Sequence, residues 1–384
     1  MKEQSKVLAT IVQCGAAPIR ILAVSHTWQG ANDYAFVRAF RRAGHSVVVV
    51  SDENFMGPSW RHRLLKIFRR LAMPLLVSDY QKALIAAARA LRPQLLFVFK
   101  GVNVTARTVE VIRDLGAIAI NFYPDVSLTE HGPHIARAIT KYDWVFTTKS
   151  FHLTDMHNEL GIDTVSFLPH AFDPEVHVPV AIDDQDRQRY QCQAAFVGTW
   201  TPKKEAMLLH VRRRFPELDL KIWGNQWERA TPELGAAVMH QPVLGAEYAK
   251  AIRASGISIA MLIEARQDSE FGDLTTARTF EIPAIGGFML HERTDEAQSF
   301  FAEDAECAMF SNAEELVEKL RYYLVRPAEC RRIADAGHAR CMASGYSVDD
   351  RATEIVHKAL ELDPGKPLAR SIHGGAGVTE AKWR

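Results

Sequence analysis

Glu270-Phe-Gly-Asp-Leu-Thr-Thr-Ala-Arg-Thr-Phe-Glu-Ile-Pro-Ala-Ile-Gly-Gly-Phe-Met-Leu-His-Glu292 is the stretch that decides how this 384-residue chain is read. Asp273 can cap a helix, because a short carboxylate accepts from the orphan amides of a first turn. The expected helix runs from about Leu274 to Ala284. The pair Gly286-Gly287 closes it with a left-handed residue, and Phe288-Met289-Leu290 continues as a buried strand. A polar loop feeding a helix N-terminus is an anion site, since free amides and the positive dipole end face outward together. On this reading Glu281 lies roughly 12 Å further along the axis and about 80° round it. That separation suits a ligand with an anionic middle and a hydroxyl-bearing end, such as a nucleotide sugar.

On both sides of this stretch short apolar runs alternate with helical patterns. Ile19–Ser25, Val47–Val50, Leu95–Phe99 and Ala117–Phe122 read as strands, separated by helical spacing at 33–43, 79–92 and 104–115. A second series begins at Ala194–Gly198 and continues through Leu218–Trp223 and Ile257–Ile263, with helices through Arg253, at 313–325, at 327–343 and near 347–361. Strands alternating with helices build a parallel sheet covered on both faces, and the length allows two such units. No Gly-x-Gly-x-x-Gly follows a strand of the first series, which argues against a dinucleotide fold there. The glycines at 374–377 follow no strand and form no phosphate loop.

Composition bounds the partners. Apolar residues make up 47% and charged residues 24% of the chain, and the formal net charge is zero, so nucleic acid is not an expected partner. Five cysteines, none in a Cys-x-x-Cys pair, point to a reducing compartment and away from structural zinc. Without an export signal or a run near the ~20 apolar residues of a membrane span, a cytoplasmic location is expected. Trp60 to Met73 is a basic amphipathic segment. It is expected to be a core helix with a solvated face, with weak peripheral membrane contact as the alternative.

Two further places carry chemistry. Thr201-Pro202 is a strong helix start, yet Lys203 and Lys204 follow it, where cations oppose the helix dipole. A bound anion would reverse that penalty. In the loop after the fourth strand stand Asn121, Asp125, His131 and His134, where ligands of open α/β sheets collect and where Asp125 or His131 could serve as a general base.

The pair Asp273 and Glu281, ahead of Gly286, resembles the E-x7-E element of retaining GT-B glycosyltransferases, with the first acid one methylene shorter. Arg278-Thr-Phe-Glu281-Ile-Pro-Ala-Ile-Gly286-Gly-Phe-Met-Leu is more similar to the CgeB-like glycosyltransferases. Leu168-Pro-His-Ala-Phe-Asp-Pro174 looks like the segment leading into their linker. The resemblance runs from about Leu95 to Leu362 and is architectural before that.

It implies an α/β protein of GT-B architecture, with two Rossmann-like parallel-sheet domains facing each other across a cleft. The expected organisation is a leader (1–18), an acceptor domain (19–173), a linker (174–191), a donor-nucleotide domain (192–345), a helix crossing back (346–362) and a tail (363–384). The implied catalytic residues are Asp125, His131 and Asp273. The implied donor contacts are Gly198, Thr199, Lys203, Lys204, Gly224, Asn225, Thr275, Thr276, Arg278 and Glu281. No Asp-x-Asp follows a strand (the nearest string is Asp52-Glu53-Asn54), so neither a metal nor any cofactor is expected beyond a nucleotide-diphosphate sugar as co-substrate. The acceptor would be a saccharide, a lipid-linked or a protein hydroxyl. The alternatives are a nucleotide-sugar epimerase and a non-catalytic protein that binds a nucleotide sugar or coats a cell or spore surface.

Overall fold

In the computed structural model, which describes residues 17–56, 63–265 and 271–363, the chain forms two all-parallel sheets. The first contains β1 (Arg20–Val24), β2 (Ser46–Val50), β3 (Leu95–Phe99), β4 (Ile118–Tyr123), β5 (Trp144–Thr147) and β6 (Val165–Phe167), in the order β2-β1-β3-β4-β5-β6. The second contains β7 (Cys192–Val197), β8 (Leu220–Trp223), β9 (Ser255–Ala260), β10 (Met289–Glu292) and β11 (Ala308–Phe310), in the order β11-β10-β9-β7-β8. Parallel sheets carry helices on both faces, so their strands are apolar runs rather than alternating ones. Ile21–Val24, Leu95–Val98, Ala194–Val197 and Ile257–Ala260 are buried throughout, Ser258 being the one polar member.

Both sheets reverse their strand order once, at β1/β3 and at β7/β9. A crevice opens beyond the carboxyl ends of the strands at such a point, because the two flanking connections leave toward opposite faces. The residues that leave β1 and β3 (Ser25, His26, Lys100, Gly101) and those that leave β7 (Gly198, Thr199) line the cleft between the sheets. The final helix, Val348–Leu362, buries Val348, Ala352, Ile355, Val356 and Ala359 against Phe36 and Phe40 of the helix Asn32–Arg42. Arg351 also donates to the Pro169 carbonyl at 3.2 Å.

Several local expectations change. The helix after β9 spans Ala277–Ile285 rather than starting near Leu274, and its N-cap is Thr276. Thr279 accepts from the Thr276 amide at 3.0 Å, while Asp273 is drawn off by partners outside the helix. Gly286, at φ 77°, does close the helix. Of the residues expected in the loop after the fourth strand, Asn121 lies in β4 and His134 in the helix Pro133–Ile139. The strands β5, β6 and β11 have only three or four residues, too few for a periodic signal. The expected linker, 174–191, contains a helix, Asp184–Tyr190, capped by Asp183, which accepts from the Asp186 amide at 2.7 Å.

The helix Arg63–Leu91 joins two segments read separately, and Pro74 lies inside it. The basic stripe from Trp60 to Leu71 lies outside the described side chains, as do residues 1–16 of the leader, Glu270 and the tail from residue 364. No helix among the described residues is long and apolar enough to cross a membrane.

Candidate functional site

Two chambers share the cleft. The first, about 370 Å³, lies over the β1/β3 switch and reaches Val243, Leu244, Gly245, Tyr248, Arg278 and Glu281 of the second domain. The second, about 400 Å³, lies over the β7/β9 switch and reaches back to Asp125, Lys149 and His170. Asn32, Phe99, Lys100 and Arg278 belong to both walls, so the chambers adjoin.

Arg278 is the hinge between them. Its Nε donates to the Val197 carbonyl at 3.0 Å, its guanidinium pairs with Glu281, and it lies 4.6 Å from the centre of the Tyr248 ring. Glu281, one turn into its helix, is 2% exposed. Burial alone would raise its pKa, but Arg278 and then His177 outweigh that and hold the carboxyl below its ordinary value. His177 Nδ1 accepts from the Asp173 amide at 2.9 Å, which puts the proton of the neutral ring on Nε2, 3.7 Å from Glu281 Oε1. Glu281 is therefore not the free carboxylate that spacing alone suggests.

The lysines separate. Lys204 lies in the wall of the second chamber, 5% exposed, with Nζ 3.4 Å from the Thr199 carbonyl. Burial pushes its pKa down to about 8, with Asp273 and Glu264 opposing that fall. Lys203 turns away and pairs with Glu292 at 2.5 Å, and Glu292 in turn accepts from the Leu262 amide. Only Lys204 of the two faces the cleft. Thr276, Ala277 and Arg278, the first turn of their helix, open onto the same chamber, as do Gly198 and Thr199.

Other implied donor contacts have structural duties. Thr275 is 1% exposed and donates to Glu296 at 2.6 Å, away from both chambers. Gly224 (φ 144°) sits so close to Gly198 that a Cβ would fall 2.0 Å from its carbonyl oxygen. Asn225 is exposed, and its carbonyl accepts from the Trp200 amide at 3.0 Å. Gly224 and Asn225 therefore brace the loop that carries Gly198 and Thr199, and line neither chamber.

Of the implied catalytic residues, Asp125 lines the second chamber, paired with Lys100 at 2.6 Å and hydrogen-bonded to His131 at 3.1 Å. Lys100 adopts φ 60°, a strained value for a non-glycine residue, and lines both chambers. His131 stands behind Asp125 and outside both walls. Asp273 is 7% exposed and forms an ion pair with Lys149, 3% exposed, from the loop after β5. That pair joins the two domains across the cleft.

Sequence reasoning missed Lys149, His170, Tyr248 and the pairing of His26 with Asp33. Lys149 follows a strand too short to recognise. His170 sits inside the quoted Leu168–Pro174 motif, and burial beside Lys149 and Arg278 keeps its imidazole neutral. Among the described residues no group of three His, Cys, Asp or Glu side chains is placed to hold a metal ion.

Residues 202–357 match a family model described as "Glycosyl transferase-like". No curated protein sequence matches the chain. Among solved structures it is similar to a glycosyltransferase from Rickettsia africae, at 11% identity over 91% of this chain and 100% of that one, with a TM-score of 0.64. Sucrose-phosphate synthase from Thermosynechococcus elongatus matches at 14% identity over 90% and 99%, with a TM-score of 0.64. HepE from Anabaena, solved with UDP and glucose, matches at 12% over 90% and 100%, with a TM-score of 0.60. The fold is the two-domain GT-B fold that these structures share, and residues 202–357 resemble the glycosyl transferase-like family.

Proposed function

We propose that the chain transfers a hexosyl group from a nucleotide-diphosphate sugar to an acceptor hydroxyl. The observation that carries this reading is the convergence of Lys204, Arg278 and the first turn of the helix Ala277–Ile285 on one chamber beside Gly198 and Thr199. A diphosphate there meets a buried ammonium and a positive dipole end. The nucleoside extends into the first chamber, over Tyr248 and the Val243–Gly245 loop toward Glu281. The sugar faces Asp273, Lys149 and Asp125. HepE, which holds UDP and glucose on the same fold, makes UDP-glucose the first donor to test.

In this reading the leaving diphosphate is stabilised by Lys204, Arg278 and helix amides, so transfer needs no metal. Asp273 and Glu281 act as the acidic pair of a CgeB-like enzyme, and the reaction retains anomeric configuration. A thermal-shift panel of UDP-, GDP-, TDP- and CMP-sugars identifies the donor, since a ligand at 100 Kd stabilises by about 2.7 kcal/mol. Mass spectrometry of products then tests transfer. A changed sugar on an unchanged mass would mean an epimerase, and binding without hydrolysis or transfer a non-catalytic binder. Incubation with UDP-glucose and added EDTA, followed by NMR of the anomeric proton, tests metal independence and retention together.

A further inference from the structure

In the proposed donor pose the nucleoside lies on second-domain residues alone. The first chamber also has an aromatic group on its first-domain side. Trp28, in the connection between β1 and the helix Asn32–Arg42, lines that chamber, as does Leu244 from the second domain. The two are 40% and 50% exposed, and apolar side chains of that size gain from being covered.

The loop that carries Trp28 is fixed at both ends. The His26 amide and Nδ1 lie 2.8 and 2.7 Å from Asp33 Oδ2, and the His26 and Trp28 ring centres are 6.0 Å apart. The Ala31 amide donates to the Trp28 carbonyl at 3.4 Å, closing a turn with Gly30 at φ 99°, a value that favours glycine. A Cβ at Gly30 would fall 3.1 Å from the Gly245 amide nitrogen and 3.5 Å from Trp28 Cζ3. The two loops therefore approach backbone to backbone across the cleft, and the edge of the Trp28 ring is held close to Gly245.

Resting on the reading of the second domain as the donor site, we infer that Trp28 clamps the donor nucleobase, stacking on it from the first-domain side while Leu244 and the Val243–Gly245 loop support it from the second. Arg278 lines both chambers, so a nucleotide whose diphosphate lies against Lys204 leads its base toward Trp28. A planar base covers both exposed apolar side chains at once. Because the loop is already fixed, little conformational freedom is lost on binding.

The test titrates UDP, GDP, TDP and inorganic pyrophosphate into the full chain and into Trp28→Ala, Trp28→Phe and Lys204→Ala. Each nucleotide that binds the wild type should bind Trp28→Ala about five- to a hundredfold more weakly, the loss found when an aromatic platform beneath a base is removed. Trp28→Phe, which keeps a smaller ring, should lose less. Pyrophosphate should bind both Trp28 variants as it binds the wild type, whereas Lys204→Ala should weaken pyrophosphate and nucleotides alike. Nucleotide should also quench tryptophan fluorescence in the wild type and much less in Trp28→Phe.

Wild-type nucleotide affinity in Trp28→Ala would overturn the inference and leave the donor reading standing. So would a matching loss of pyrophosphate affinity, because the ring would then act on the phosphate site and not on a base. Failure of the wild-type chain to bind any of the three nucleotides, or pyrophosphate, would instead strike at the donor reading.

Discussion

Lys204 offers the sharpest test of the donor site, because its proton reports directly on a bound anion. In the empty protein burial holds its pKa at about 8, against 10.5 in water, and Asp273 and Glu264 only partly offset this. The gap corresponds to about 3 kcal/mol of unfavourable ammonium burial. A diphosphate in the second chamber supplies the missing counter-charge and returns the pKa toward its ordinary value. Binding then takes up about half a proton per site at pH 8 and about 0.9 at pH 9, where a terminal phosphate with a pKa of about 6 is already ionised.

Titration calorimetry of UDP in two buffers of different ionisation enthalpy measures this uptake. Lys204→Ala should abolish it and weaken UDP by about 1.5–3 kcal/mol while weakening uridine far less. Lys203→Ala should do neither, because Lys203 is spent on Glu292. The sign for the empty protein also follows. A lysine whose folded pKa lies below its unfolded value binds fewer protons folded than unfolded between the two, so stability rises as pH climbs from about 8 toward 10.5. Uptake that persists in Lys204→Ala, or an equal loss of UDP and uridine affinity, refutes the assignment.

Three further outcomes are expected. Glu281→Gln should lower donor affinity and also the melting temperature, because it leaves Arg278 and His177 facing an amide; removing one partner of a buried pair costs up to about 3–5 kcal/mol, and an amide that keeps part of the hydrogen bonding should cost less. Lys149→Met should be strongly destabilising and Lys149→Met with Asp273→Asn much less so, a double-mutant cycle in urea showing coupling between residues 124 positions apart. His26 has its pKa raised, the hydrogen bond it donates to Asp33 outweighing burial. The stability this supplies should be complete below about pH 6.5 and be lost as pH rises through the folded value, and NMR titration of Asp33→Asn should show the imidazole falling back.

Much of the architecture was legible because parallel strands buried on two faces must be continuous apolar runs, and those of five or six residues stand out against helical spacing. What stayed hidden were β5, β6 and β11. Strands of three or four residues carry little pattern, and β8 and β10, equally short, were legible because Leu218 and Phe288 extend their apolar runs. The same limit moved the start of the key helix. A carboxylate at Asp273 and a hydroxyl at Thr276 are both good caps, and local sequence cannot rank them. Lys149, brought across the cleft by a strand too short to see, takes Asp273 out of the competition.

That exchange also explains why site residues were less legible than the fold. A ligand-binding charge is defined by what it lacks, and the partners that would satisfy it are set by tertiary structure. Spacing presented Lys203 and Lys204 as equivalents, yet one residue of helical rotation gives the first a carboxylate and leaves the second buried with a carbonyl. Glu281, the most conspicuous acid of the quoted stretch, is already paired with Arg278. Comparing the two lysines is therefore decisive. If Lys203→Ala and Lys204→Ala are measured side by side, the first should leave nucleotide-diphosphate affinity unchanged and the second should lower it. The opposite pattern would mean that charge satisfaction in the empty cleft does not mark where its ligands bind.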